Sequence, residues 1–205
     1  MLYESLIRYG DCYQLKNPPD VNHNFLNDIK RFDNDWKPYN PRKKIERYGL
    51  SITSLDGQLS GIPDIDSIRE YNLKHNLELD EPDFKTKTPV YQYASKWLDP
   101  FEGFIGRTHV IKMPPGGCFP PHRDEYSIEM VSFRLFIPLI NCNYPKMFFI
   151  LDGKTLYFDH GSVYFINTCK EHTVFTVADE SYFIVANIIL SEESVEAVLD
   201  NMSIT

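Results

Sequence analysis

Cysteine is scarce in this chain: only Cys12, Cys118, Cys142 and Cys169 occur, and no two of them form a Cys-x-x-Cys pair or a tight cluster. A disulfide framework and a zinc ribbon are thereby disfavoured, and a reducing, cytoplasmic setting is expected. Long apolar runs are missing as well. No window approaches the ~20 apolar residues of a membrane span. Glu4, Arg8 and Asp11 interrupt the start of the chain, which leaves no apolar core of signal-peptide length. A soluble protein with no membrane partner is expected. Positive charge is in deficit: 21 Lys and Arg against 29 Asp and Glu give a net charge of -8. That balance opposes general attraction to phosphate backbones, so nucleic acid is not expected as a general partner. One deficit is local, since no Lys or Arg occurs anywhere after His172.

What remains is enough to build a core. At 205 residues and 42% hydrophobic, the chain fits one globular domain over residues 1–205. Residues 1–20 read as an irregular lead-in ending at Asn17-Pro18-Pro19-Asp20. Phe25, Leu26, Ile29, Phe32 and Trp36 recur at three- and four-residue intervals, which predicts a core-facing helix over residues 22–36 capped by Asn22 or Asp20. The basic group Arg42, Lys43, Lys44 and Arg47 reads as a solvated rim, or functionally as a polar wall at the mouth of a site that attracts an anion. A strand follows over residues 48–55, with a turn at Asp56-Gly57. Residues 58–90 are polar and turn-rich, with one short helix over 66–76, and have the character of a surface loop or lid. Another helix is expected over 91–97.

From Gly106 the pattern changes to short runs of Ile, Val, Phe and Tyr: residues 107–113, 131–139, 147–151, 154–158, 162–167, 173–178 and 182–190. Turn residues such as Asp152-Gly153 and His160-Gly161 separate them. This predicts an antiparallel double-stranded β-helix, a mainly β jelly roll of cupin-like form with flanking α-helices. Its core spans roughly residues 104–190, with helical and loop decoration before it. A closing helix over 192–201 has Ser191 as cap and Val195, Val198 and Leu199 on one face.

The chemistry is concentrated between Met113 and His172. The run Pro114-Pro115-Gly116-Gly117-Cys118-Phe119-Pro120-Pro121-His122-Arg123-Asp124 opens it, and Gly161-Ser162-Val163-Tyr164-Phe165 leads to His172. A His-x-Asp pair with one distant His outlines the two-histidine, one-carboxylate triad that holds iron(II) on one face and leaves the opposite positions open. At a strand end, residues i and i+2 point to the same side, so His122 and Asp124 reach one site. The interval to His172 accommodates roughly four or five strands, and closing the barrel brings the late strand beside the early one. His122, Asp124 and His172 are the expected metal ligands and catalytic centre.

These residues, with Phe133-Arg134-Leu135-Phe136-Ile137-Pro138-Leu139 between them, resemble the iron(II)/2-oxoglutarate-dependent oxygenase superfamily. Within it the chain is most similar to the aspartyl/asparaginyl β-hydroxylase branch, and Asn40-Pro41 and Arg47-Tyr48-Gly49-Leu50 extend the match upstream. The resemblance implies a dioxygenase that binds Fe(II), 2-oxoglutarate and dioxygen. Oxidative decarboxylation to succinate and carbon dioxide would be coupled to hydroxylation of a small-molecule, amino-acid or peptide substrate, such as an Asp or Asn side chain. Some members of that branch lack the carboxylate ligand that Asp124 supplies here. Members also carry an arginine after the distal histidine that grips the far carboxylate of 2-oxoglutarate, and this sequence has none.

Arg134 is the expected replacement. Alternation along its strand sets Arg134, Phe136 and Pro138 on one face and Phe133, Leu135 and Ile137 on the other, and a charge in so apolar a strand needs a partner. The alternative is a structural ion pair with a nearby carboxylate. Tyr182, ten residues beyond His172, is expected to add a hydroxyl to the same contact. Among the other histidines His23, His75 and His160 read as ordinary hydrogen-bonding residues, whereas His109, on the strand leading into the motif, is a further co-substrate candidate. Asn187 reads as sheet packing or a water contact. Two other function classes share these features: a cupin-like metalloenzyme that does not use 2-oxoglutarate, and a non-catalytic jelly-roll binding protein.

Overall fold

In the second half of the chain, strands form where apolar and polar residues alternate. A computed structural model describes residues 2–15, 24–124 and 130–203. Its strands are β1 (Cys12–Gln14), β2 (Lys37–Pro38), β3 (Tyr48–Ser51), β4 (Thr53–Ser54), β5 (Thr86–Lys87), β6 (Ile105–Met113), β7 (Cys118–His122), β8 (Ser132–Ile140), β9 (Met147–Leu151), β10 (Lys154–Leu156), β11 (Tyr164–Ile166), β12 (His172–Thr176) and β13 (Ser181–Ile189). The helices are α1 (Leu2–Ile7), α2 (Phe25–Ile29), α3 (Ile68–His75), α4 (Tyr91–Leu98) and α5 (Glu192–Asp200). Seven strands pair in the order β1-β11-β8-β13-β6-β3-β2, four in the order β10-β9-β12-β7, and β4 pairs with β5. All of these pairings are antiparallel. The architecture is the expected jelly-roll-like β fold with helices at its flank.

Alternation along the central strands creates two apolar layers. Phe133, Leu135 and Ile137 of β8, with Ile184, Ala186 and Ile188 of β13, face the helices. Phe136 and Phe183 face inward with Ile111, Met147, Phe149 and Val174 from the other strands. Trp97 of α4 is buried in the helical layer, and its indole N–H donates to the Gly161 carbonyl at 2.7 Å, so the aromatic body packs while its polar edge is satisfied. Asp152 and Gly153, both at positive φ (48° and 76°), make the two-residue turn joining β9 to β10. That geometry matches the twist of a tight hairpin and suits Asp-Gly.

The closing helix begins as its sequence indicates. The Ser191 hydroxyl accepts from the Ser194 amide at 3.1 Å, and the Ser194 hydroxyl accepts from the Ser191 amide at 2.9 Å. Ser191→Ala is expected to lower the unfolding free energy by about 1 kcal/mol, readable by urea denaturation. An unchanged midpoint would mean that packing of Val195 and Val198 alone holds the helix.

Several boundaries differ from expectation. The lead-in contains α1 and β1, and β1 adds to the sheet edge beside β11. The helix expected over 22–36 is only α2 followed by a 3-10 turn over Lys30–Asp35, and its proposed caps Asn22 and Asp20 lie outside the described residues, as does His23. The strand over 48–55 splits at Ile52, whose amide pairs with Thr108 O at 2.9 Å, and its halves join different sheets. The Pro-rich motif itself forms β7, at the edge of the four-stranded sheet, where missing amide donors are tolerated. No helix among the described residues is long and apolar enough to cross a membrane.

Candidate metal centre

β7 ends at His122, β12 begins at His172, and the two are partners in register. Their ring centres lie 4.2 Å apart. Each ring is oriented by a backbone carbonyl two residues earlier: His122 Nδ1 lies 2.7 Å from Pro120 O, and His172 Nδ1 lies 3.0 Å from Lys170 O. A carbonyl can only accept, so each Nδ1 carries a proton, and in the neutral ring each Nε2 presents a lone pair. Asp124 sits in a bend past the strand end and is held by its amide donating to Thr168 O at 3.0 Å. Its Oδ1 is 3.4 Å from His122 Nε2 and 4.0 Å from His172 Nε2. One donor atom from each of the three residues lies within 4.8 Å of the others. Two neutral imidazole nitrogens and a carboxylate oxygen on one side of a cavity fit a divalent transition metal such as iron(II).

The second carboxylate oxygen has its own partner. Arg134 Nε lies 3.3 Å from Asp124 Oδ2, and Arg134 Nη1 donates to Ser132 Oγ at 3.0 Å. Arg134 Nη2 is 3.9 Å from Glu81 Oε1, which also lies 3.3 Å from Arg107 Nη1. Asn187 Nδ2 donates to Glu81 Oε2. Burial alone would raise the Asp124 carboxyl, but the Arg134 guanidinium and the two histidines hold it well below the usual carboxylate range. His122 is raised, chiefly because its protonated ring would donate from Nε2 to Asp124, while burial lowers His172.

A cavity of about 440 Å³ joins these groups. Lys43, Arg47, Arg107 and Arg134 line it against Asp80, Glu81 and Asp124. With a divalent ion on the triad, positive charge is in excess, and a dianion such as 2-oxoglutarate would offset it. A second, open cleft of about 1010 Å³ runs along α3 and shares Tyr39, Asn40, Asp80, Glu81 and Arg107 with the cavity.

The fold therefore brings His122, Asp124, His172, Arg134 and His109 to one cavity and leaves Tyr182 out. Inward positions on β13 are Phe183, Val185 and Asn187, which line the cavity, so Tyr182 points the other way. Its ring packs against Trp36 at 6.1 Å and its hydroxyl donates to Glu180 at 2.7 Å. A spacing of ten residues from His172 does not fix which face of the strand a residue takes. Asn187 does more than pack, since it holds Glu81 from inside the cavity. His75 stacks on Tyr71, and His160 Nε2 accepts from the Cys142 amide.

Two polar residues of the site, Glu81 and Arg107, carry no mark in the sequence. Glu81 belongs to the 58–90 segment, whose 3-10 turn Glu81–Asp83 packs on β6 and β13. Gly106 permits that approach, because a Cβ there would lie 2.7 Å from Glu81 O. Arg107, next to that glycine, is buried and donates to Asp64 O at 2.7 Å and Asp66 O at 3.1 Å. Arg47, whose basic group reads as a solvated rim or a polar wall of the site, is only 3% exposed and lines the cavity, so it belongs to the wall. The available signal was its position immediately before a buried strand.

No protein-family model and no curated protein matches the sequence. Solved structures do match its fold. A prolyl-4-hydroxylase from Pseudomonas putida superposes with a TM-score of 0.52 at 14% identity, covering 93% of this chain and 100% of that one. A prolyl hydroxylase from Trichoplax adhaerens, in complex with a hypoxia-inducible-factor oxygen-degradation-domain peptide fragment, gives 0.52 at 9% identity, covering 95% and 93%. The non-heme alpha-ketoglutarate-dependent epimerase SnoN from nogalamycin biosynthesis gives 0.54 at 10% identity, covering 92% and 82%. At these identities the likeness is one of fold.

Proposed function

We propose that the chain is an iron(II)/2-oxoglutarate-dependent dioxygenase that hydroxylates an amino-acid side chain, free or within a peptide. The observation that carries this is the triad: His122 and His172 with Nε2 free to ligate and Asp124 Oδ1 beside them, all facing one cavity. His122, Asp124 and His172 would hold the iron. When bound, iron and 2-oxoglutarate would, with dioxygen as the oxidant, supply a species able to break a substrate C–H bond. The chain's own contribution is orientation and exclusion of water. The carbonyls of Pro120 and Lys170 fix the rings, Arg134 fixes the carboxylate, and Phe136, Phe149 and Phe183 dry the inner wall.

An amino-acid or peptide target is favoured by the open cleft that leads into the cavity, by the peptide carried by the Trichoplax adhaerens neighbour, and by the sequence resemblance to aspartyl/asparaginyl β-hydroxylases. The test is anaerobic loading with iron(II), then addition of dioxygen and 2-oxoglutarate with candidate Asp-, Asn- and Pro-containing peptides. Uptake of about one equivalent of iron and substrate-stimulated release of succinate are expected. Iron uptake without any succinate would favour the cupin-like alternative, and failure to take up iron would defeat both enzyme readings.

A further inference from the structure

Two of the cations lining the cavity already have carboxylate partners: Arg107 with Glu81, and Arg134 with Asp124 and Glu81. Arg47 differs. Its guanidinium donates to Cys118 O at 2.8 Å and Tyr39 O at 3.5 Å, and its carbon stands over the Phe119 ring at 4.1 Å and the Tyr39 ring at 5.2 Å. These described contacts are carbonyls and aromatic faces, with no carboxylate among them. Five N–H groups in a fixed fork exceed what two carbonyls accept, and Arg47 lines the cavity, so donors remain for a ligand there.

A second unpaired group lies close by. His109 is 3% exposed and lines the same cavity, and its Nδ1 has no hydrogen-bond partner among the described residues. The Tyr39 ring touches both groups, with its centre 5.6 Å from the His109 ring. Burial, with the charges of Arg107 and Arg134, pushes His109 well down, so it is a neutral imidazole able to donate one hydrogen bond. A buried guanidinium without an anion is costly, and a buried imidazole nitrogen without a partner adds to that cost. One carboxylate placed between them would satisfy both.

We propose that Arg47 and His109 form the pole of the cavity that grips the far carboxylate of the 2-oxoacid co-substrate, an inference that rests on the function proposed above. The Phe119 ring neighbours both this pole and the triad: its centre is 6.5 Å from the His122 ring and 4.1 Å from the Arg47 guanidinium carbon. Both ends line the one cavity of about 440 Å³, in which a five-carbon dicarboxylate bound to a metal at one end would lie. Arg134, already in contact with the ligating carboxylate, acts as a positioning residue.

The test compares 2-oxoglutarate with 2-oxopentanoate, which has the same chain length but lacks the far carboxylate. Affinities would be measured calorimetrically on manganese(II)-loaded protein without dioxygen. The unmodified protein should bind 2-oxoglutarate at least about tenfold more tightly, as expected for a charge-assisted contact. Arg47→Met should bring the two affinities within about threefold while manganese(II) affinity stays unchanged. His109→Gln should cut the preference several-fold, and it carries the test alone if Arg47→Met does not fold. A wild-type preference retained in these variants, or no preference in the unmodified protein, overturns the assignment while leaving the proposed function standing. Absence of binding by either oxoacid to metal-loaded protein would instead sink the proposed function. Loss of peptide binding with the oxoacid preference intact would assign the pole to a substrate carboxylate and so overturn the proposal.

Discussion

His172→Ala is expected to raise the dissociation constant for iron(II) by at least about a hundredfold and to abolish 2-oxoglutarate turnover. Partners that merely orient a metal ligand are worth roughly 10–100-fold in affinity, so loss of a ligand should cost at least the upper end of that range. His172 is the sharper of the two histidine tests because it is 6% exposed and sits on β12, paired with β9 on one side and β7 on the other. Its ring contacts among the described residues are Phe149 at 6.2 Å, which cannot ligate, and the His122 ring, which is already a ligand in this reading. His122→Ala should behave alike, with less effect on folding because its side chain is 38% exposed. Asp124→Ala should also abolish turnover while retaining weak iron binding through the two imidazoles. Anaerobic iron(II) titration followed by calorimetry reads all three. Near-wild-type iron affinity in His172→Ala would remove the triad from consideration, and near-wild-type turnover in Asp124→Ala would remove its carboxylate from the ligand set.

The triad was legible because its chemistry is local in one half and topological in the other. His122 and Asp124 are neighbours in sequence, and a jelly roll necessarily returns a late strand beside the early one, which is how His172 comes opposite His122. Strand alternation also carried through: Phe133, Leu135 and Ile137 face the helices while Phe136 faces inward, as the period of two requires. The poorly legible parts depend on contacts distant in sequence. Glu81 looks like any acid in a polar loop until its turn is seen against β6 and β13. Arg47, just ahead of β3, belongs to a basic run that reads as either rim or wall until its guanidinium is seen against the Phe119 ring. Tyr182 shows the opposite failure, a correct strand with the residue assigned to the wrong face. β1 is three residues long and has no pattern to read, so only its pairing with β11 defines it.

Arg134→Leu should weaken iron(II) binding by roughly 10–100-fold while leaving the preference for 2-oxoglutarate over 2-oxopentanoate intact. The first effect follows from the contact between Arg134 Nε and Asp124 Oδ2 at 3.3 Å. Without it the carboxylate loses the partner that fixes its orientation and lowers its proton affinity, which is the range found for residues supporting metal ligands. A second consequence falls on the fold. Asp124 and Glu81 would both lose a cation, with side chains only 25% and 13% exposed. Removing one partner from a buried ionic cluster costs about 3–5 kcal/mol, and partial exposure here places the expected loss at about 3 kcal/mol or less. Arg107 remains against Glu81 and limits the damage on that side. Arg134→Lys would restore charge without the planar fork and should recover part of the stability but less of the iron affinity, because a point ammonium does not hold a carboxylate in one orientation. Urea unfolding gives the stability term, and anaerobic titration with iron(II) and then with each oxoacid gives the other two. Intact iron affinity together with a lost oxoacid preference would reverse the assignment, making Arg134 the anchor of the far carboxylate and Arg47 a structural cation.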